Sequence, residues 1–259
     1  VLRGGENVYY HAGDDAGQIV NIIGVIPSRL SSTRLPRKPL ALIGGRSMVE
    51  RVYEGARGAR RLSRLLVATD SEEILAHCRA RGMDAELTSP DHVSGTDRIR
   101  EIAARFPADV YANIQGDEPM VTAAHVDALL APFFSGEPVE VTTLALALDS
   151  SEAANPNTVK VVTRLDGRAL YFSRSAIPFD RDRAGVAYRK HLGFYAYRTA
   201  ALARFSTLPP SPLETAERLE QLRFLENGVD IRVIQSPSDT WSVDTAEDLA
   251  RVEEYFSRR

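Results

Sequence analysis

Ile19-Val20-Asn21-Ile22-Ile23-Gly24-Val25-Ile26 is an almost wholly apolar run that opens at Pro27 into Ser28-Arg29-Leu30-Ser31-Ser32-Thr33-Arg34-Leu35-Pro36-Arg37-Lys38-Pro39. The run reads as a buried strand over 19–26 and the rest as the loop leaving it. Four cations, Arg29, Arg34, Arg37 and Lys38, fall within ten residues with no acidic side chain among them. A loop of that composition after a strand suits a small polyanion better than a solvated helix face. Ser31, Ser32 and Thr33 add neutral donors, and the prolines limit the entropy lost when a ligand orders the loop. An ordinary basic surface loop would carry the same charges but gives no reason for the interleaved hydroxyls.

Outward from this stretch, helical patterns alternate with β-rich segments: helix 47–59, strand 65–68, helix 71–81, strand 85–88. That alternation predicts α/β architecture with a parallel sheet of βαβ units. Ser47 followed by Glu50 reads as a capping box, and Gly82 as a left-handed C-cap. Thr96 is expected to cap a helix reaching 106, with Ile99, Ile102, Ala103 and Phe106 inward, before strand 110–114. A helix after Thr122, carrying Val126, Leu129 and Leu130, leads to strand 139–148. The texture then changes. Strands 158–165 and 168–173 flank Asp166-Gly167 as a hairpin, and 191–197 is a further strand. The reading is a single α/β domain over 19–259 with a β-rich insertion at about 156–198, resuming with helix 213–227, strand 231–235 and helix 245–256. Residues 1–18, polar and without periodicity, read as a disordered N-terminal extension.

At 259 residues the chain can bury a full core, and a net charge of -3 with a pI near 6.0 argues against a general nucleic-acid binder. The basic loop is thus a local feature aimed at a small anion. Cys78 is the only cysteine, which excludes an intramolecular disulfide, and its place in a helical segment reads as packing. No apolar run approaches the roughly 18 to 20 residues of a membrane span, and the first residues lack a secretory apolar core. A cytoplasmic location is expected.

Gln115-Gly116-Asp117-Glu118-Pro119 follows directly on a strand, so Asp117 should project at the carboxyl edge of a parallel sheet, where open α/β proteins bind ligands. Asp117 can offer oxygen to Mg²⁺, which takes one or two protein carboxylates and completes its shell with phosphate and water. It can equally shape a turn. Asp244, between a strand and a helix capped by Thr245, is a second candidate carboxylate or an assistant to that cap. Gly44-Gly45-Arg46-Ser47 lacks the lysine and the spacing of a phosphate-binding P-loop, and the nicotinamide, zinc and acyl-serine motifs are absent. Ser94-Gly95-Thr96-Asp97-Arg98 opens a helix whose N–H groups can hold an anion or the polar edge of a base, or simply cap the helix. In the insertion Arg174, Arg181, Lys190 and His191 lie near Tyr171, Tyr195 and Tyr197, a mixture able to bind a carboxylated, polyhydroxylated molecule. Glu217, Glu220 and Gln221 add acceptors on the following helix.

Together these strings resemble the 3-deoxy-manno-octulosonate (Kdo) cytidylyltransferases, over about 22–256. The matching segments are Ile26-Pro27-Ser28-Arg29 with Ser32-Thr33-Arg34-Leu35-Pro36, Val67-Ala68-Thr69-Asp70, Ser94 to Arg98, Gln115 to Pro119, Asn155-Pro156-Asn157, Ala169 to Arg174, Lys190-His191-Leu192-Gly193, Leu219-Glu220-Gln221-Leu222-Arg223 and Val243-Asp244-Thr245. The resemblance implies a Rossmann-like, mostly parallel sheet of the nucleotide-diphospho-sugar transferase type with a β-rich dimerisation insertion, hence a homodimer. It also implies transfer of CMP from CTP to Kdo for lipopolysaccharide assembly, with release of pyrophosphate. Carried over by position, Ser28, Arg29, Thr33, Arg34, Lys38, Ser94, Gly95, Thr96 and Gln115 would contact CTP. Gln115, Arg174, His191, Tyr195, Glu220 and Gln221 would contact the sugar. Asp117 and Asp244 would hold Mg²⁺, and with Arg34 and Lys38 form the catalytic set. The rival acceptors are 8-amino-Kdo, a sialic acid or a pseudaminic acid, and the rival class is a non-catalytic nucleotide-binding regulator. Two departures stand out: Arg37 replaces the family's usual glycine before Lys38, and Lys190 replaces the more frequent arginine before His191.

Overall fold

The computed structural model describes residues 20–31, 34–92 and 94–258. The expected extension over 1–18 and the predicted ligand residue Thr33 lie outside these. In chain order the first half contains β1 (Ile22–Ser28), β2 (Leu42–Ile43), β3 (Arg46–Ser47), α1 (Met48–Ala56), β4 (Arg64–Thr69), α2 (Glu72–Ala80), β5 (Ala85–Leu87), α3 (Gly95–Arg105), β6 (Val110–Asn113) and α4 (Ala123–Leu130). The second half contains β7 (Val141–Leu148), β8 (Lys160–Thr163), β9 (Ala169–Ser173), β10 (Tyr188–Arg198), α5 (Thr199–Thr207), α6 (Pro212–Glu217), α7 (Gln221–Glu226), β11 (Ile231–Gln235) and α8 (Ala246–Ser257).

The main sheet runs β11-β7-β10-β6-β1-β4-β5, with β10 antiparallel to both its neighbours and every other adjacent pair parallel. The mostly parallel α/β sheet expected from the alternation is the one observed. β1 lies near its centre and alternates faces: Ile22 and Ile26 join a core with α1, α2 and α4, while Ile23 and Val25 join one with α3, α5 and α7. The chain leaves β1 toward β4 on one side and later returns to β6 on the other, so the strand order reverses between β1 and β6. The loops after those two strands therefore flank the switch point where such sheets bind ligands. Gly116 is required there, because a Cβ on it would meet the Pro27 carbonyl oxygen at 2.6 Å.

The structure differs from the sequence reading at four elements. Ser94, not Thr96, caps α3, accepting from the Asp97 N–H, and this frees the Thr96 hydroxyl. Helix α5 follows β10 without a turn residue between them, so no stop signal announced it. The expected helix 213–227 is two helices, broken where Arg218 takes a left-handed conformation at φ 53°. Leu219 and Leu222 remain buried across the break, which is why the apolar period reads as continuous. The hairpin of β8 and β9 is as expected, but β10 is longer than 191–197 and reaches the centre of the main sheet: Tyr195 to Arg198 pair with β6, while Lys190 pairs with β8. Gly44 and Gly45, both at positive φ, form the turn of the β2–β3 hairpin. Cys78 is fully buried and its thiol is pushed up to about 11 by burial, as packing rather than reactivity requires.

Candidate active site

The loop after β1 folds back as a single 3₁₀ turn, Lys38–Leu40, entered through Arg37 at φ 57°. Arg37 thus adopts the left-handed conformation that a glycine would adopt freely, and its guanidinium pairs with Glu73 on α2. It faces away from the carboxylates, and Lys38 faces them.

Lys38 Nζ donates to Asp117 Oδ2 at 2.8 Å and to Asp244 Oδ1 at 2.9 Å, and Arg34 reaches the same Asp244 oxygen at 3.1 Å. Burial works against the Lys38 ammonium, but the Asp117 and Asp244 carboxylates outweigh it and raise its pKa above the ordinary lysine value. The two carboxylates are brought together by the main chain, since the Val243 N–H donates to the Asp117 carbonyl at 2.9 Å. Asp244 does not cap α8. Thr245 and Asp248 do that, with Asp248 also accepting from the Asp244 N–H at 3.0 Å. The Asp244 carboxylate is left facing the basic loop.

Beside this cluster opens a cavity of about 760 Å³. The predicted residues Arg34, Gly95, Thr96, Gln115, Asp117 and Asp244 line it, as do Arg174, His191, Tyr195, Glu220 and Gln221. Lys38 lies behind the carboxylates, and Ser28 is buried under Gly116 with no partner for its hydroxyl among the described residues. Arg29 is exposed outside the lining, and Ser94 is engaged as a cap.

The walls are set by a few polar bonds. Gln115 Nε2 donates to the Gly193 carbonyl at 3.1 Å, where β10 carries a bulge. Thr96 Oγ1 donates to Glu220 Oε2 at 3.1 Å, joining the N-terminus of α3 to the start of α7. Burial raises the Glu220 pKa, and elsewhere in the lining it pushes the Glu118 carboxyl up to about 8, with the adjacent Asp117 charge adding to the latter. His191 is not the charged anion ligand that its surroundings in sequence suggest. It is buried, its Nε2 is shared between Thr143 Oγ1 at 3.0 Å and the Tyr195 hydroxyl at 2.9 Å, and burial takes its pKa down to about 3. Lys190 lines the cavity with its ammonium engaged, donating to Asp239 at 2.7 Å and to the Thr240 carbonyl at 2.9 Å.

Sequence reasoning missed Asn113, Glu118, Arg218, Thr240 and Trp241, all of which line the cavity. Asn113 and Glu118 flank the Gln115-Gly116-Asp117 string and were within reach of its signal. Asn113 Oδ1 and Gln221 Nε2 are buried without partners among the described residues, which marks the wall as built for a polar occupant. No group of three or more His, Cys, Asp or Glu side chains able to hold a metal occurs among the described residues. Two carboxylates beside a polyanion site nevertheless fit Mg²⁺, which draws its remaining ligands from phosphate and water.

Comparison with known proteins gives this geometry its context. A cytidylyltransferase family model matches residues 23–231. The chain is 57% identical to the 3-deoxy-manno-octulosonate cytidylyltransferase of Acidobacterium capsulatum, over 93% of this chain and 98% of that one. It is 56% identical to the protein of the same name from Koribacter versatilis, over 93% and 92% of the two chains. A solved CMP:2-keto-3-deoxy-manno-octonic acid synthetase complexed with CTP superposes with a TM-score of 0.89 at 42% identity, covering 92% of this chain and 99% of that one. With the matching strings gathered around one cavity and the match running nearly end to end, the chain belongs to the 3-deoxy-manno-octulosonate cytidylyltransferase family.

Proposed function

We propose that this protein transfers CMP from CTP to Kdo, releasing pyrophosphate and supplying an activated sugar for lipopolysaccharide biosynthesis. The observation that carries the reading is the Asp117–Lys38–Asp244 cluster at the switch point of the sheet, opening on a cavity lined by the acceptor-side residues. In this state two carboxylates are matched by Lys38 and Arg34. A triphosphate entering the loop offers both cations stronger partners and draws them away from Asp117 and Asp244. The carboxylates would then hold Mg²⁺, which when bound screens the repulsion between two anionic substrates and favours ionisation of the attacking hydroxyl.

In the reaction the C2 hydroxyl oxygen of Kdo forms a bond to the α-phosphorus, the bond from that phosphorus to the β-phosphate bridge breaks, and the hydroxyl proton leaves to solvent. Arg34 and Lys38 stabilise the charge that grows on departing pyrophosphate. Gly95 and Thr96, at the positive end of α3, suit the cytosine side of the nucleotide. The buried His191–Tyr195–Thr143 group fixes the acceptor wall without titrating near neutral pH.

The homodimer belongs to the same reading, supported by exposed Leu165, Leu170 and Phe179 in and beside the β8–β9 hairpin. Among the described residues no helix is long and apolar enough to cross a membrane. Use of a nucleoside triphosphate is in keeping with the cytoplasmic location expected from the sequence. The test is a panel of Kdo, 8-amino-Kdo, a sialic acid and a pseudaminic acid with CTP, scored by pyrophosphate release. Kdo should lead in kcat/KM by about tenfold or more. CTP binding with no pyrophosphate from any sugar acid would overturn the reading.

A further inference from the structure

Among the described residues, five lysine or arginine side chains line the cavity: Arg34, Arg174, Lys190, Arg218 and Arg251. Four are committed. Arg34 pairs with Asp244, Lys190 with Asp239, and Arg251 lies over the Trp241 ring at 3.8 Å. Arg174 donates through Nε to the Glu217 carbonyl at 2.8 Å and through Nη1 to the Pro156 carbonyl at 3.0 Å. The Arg218 guanidinium alone has no hydrogen bond, ion pair or ring contact among the described residues.

Its backbone is the second observation. Arg218 stands at the break between α6 and α7 at φ 53°, ψ 51°, a left-handed helix end where glycine is the usual occupant. The chain accepts a side chain there that the helix end does not need. Packing does not account for it, because Arg218 is exposed and the buried residue of the turn is Leu219. The turn is held from elsewhere: the Arg218 and Leu219 N–H groups both donate to the Glu214 carbonyl, and the Glu214 carboxylate pairs with Arg223 on α7.

We infer that Arg218 is a specificity-determining residue that takes the carboxylate of the acceptor sugar acid. The inference rests on the cytidylyltransferase reading and adds to it a ligand that the motif strings do not contain. The Arg174 side chain lies against the residue preceding Arg218, so this part of the wall presents two guanidinium groups. Arg34 and Lys38 serve the triphosphate from the loop after β1, which leaves the acceptor as the anion for this second basic wall. An uncommitted planar fork recognises a carboxylate bidentately without first breaking a bond within the protein.

The test is steady-state kinetics on Arg218→Met, Arg218→Lys and Arg218→Gly, with the sugar acid and with its primary carboxamide. In Arg218→Met the KM for the acid should rise about ten- to hundredfold, with the KM for CTP unchanged, and Arg218→Lys should recover part of the loss. Arg218→Gly suits the left-handed position better, so it should keep or raise the thermal midpoint while showing the same KM defect. A purely structural role for the residue would move these two readouts together. Wild type should strongly prefer the acid over the carboxamide, and Arg218→Met should have lost most of that preference. An acceptor KM within twofold of wild type, an equal rise in the CTP KM, or an undiminished preference for the acid would overturn the role of Arg218 while leaving the enzyme reading in place. A wild type that releases no pyrophosphate with any sugar acid would remove both.

Discussion

Lys38 sits between the two carboxylates proposed to hold Mg²⁺, and this makes its removal informative in two opposite directions. In Lys38→Met the triphosphate loses a charge-assisted contact, so turnover should drop about a hundred- to a thousandfold. The carboxylate pair, however, loses the ammonium that occupies it, so Mn²⁺ should bind the nucleotide-free variant more tightly than wild type when followed by electron paramagnetic resonance. Asp117→Asn should lose both turnover and metal binding, with its thermal midpoint little changed because the ion pair is partly exposed. Equal Mn²⁺ affinity in wild type and Lys38→Met would count against that arrangement. His191 carries a pH prediction. Its folded pKa of about 3 lies below the ordinary value of 6.5, so between those limits the unfolded chain takes up a proton that the folded protein refuses. The stability this group contributes is complete above pH 6.5 and is lost as pH falls toward 3, at up to about 1.4 kcal/mol per pH unit. Urea unfolding at pH 7.5 and pH 5 should therefore show the gap between wild type and His191→Gln narrowing in acid. A gap independent of pH would mean that His191 is not held neutral.

At the scale of the element, α3 separates two roles that its sequence merges. Ser94 and Thr96 are both hydroxyl residues near a helix start, and only the backbone decides that Ser94 caps while Thr96 turns to Glu220. Ser94→Ala should therefore lower stability by about 1 kcal/mol, whereas Thr96→Ala should spare the cap and weaken the link between α3 and α7. Thermal unfolding of the two variants checks this, and an equal or larger loss in Thr96→Ala would reverse the assignment. The example also shows what could be read from the chain. Strands β1, β4 and β6 were legible because each is a short apolar run closed by polar residues, and Asp117 was legible because it lies in the loop just after β6. Asp244 was legible only as one of two alternatives, since the choice between cap and ligand lies in where Asp248 points. Lys38 lies 206 residues before Asp244, so no spacing rule could reveal that they touch. Arg218 was hidden because a left-handed break inside a continuous leucine period leaves no mark without glycine.

For the whole molecule, the organising fact is that β10 runs from the β8–β9 hairpin into the middle of the main sheet. Whatever steadies the hairpin thus steadies His191 and Tyr195 on β10, and with them one wall of the cavity. Beyond β8, β9 has no strand partner among the described residues, and its other side meets the main sheet only next to its start, through the isolated bridge of Arg168 with Arg232. An open strand edge invites pairing, and natural proteins usually blunt it with charge or cover it. Here Leu170 is exposed on β9, Leu165 lies at the hairpin turn, and Phe179 is exposed in the segment that follows. In the proposed homodimer a second copy meeting the hairpin would cover exposed apolar side chains and link the two cavity walls mechanically. The wild type should accordingly sediment at twice the 28.5 kDa chain mass, and Leu170→Asp combined with Phe179→Asp should shift it to monomer with unchanged far-ultraviolet circular dichroism. Because β10 connects this surface to the cavity, the monomer should show a raised acceptor KM, while the KM for CTP, proposed to bind through the loops after β1 and β6, should hold. A wild type that sediments as a monomer, or a monomeric variant with both constants unchanged, would detach the hairpin from catalysis.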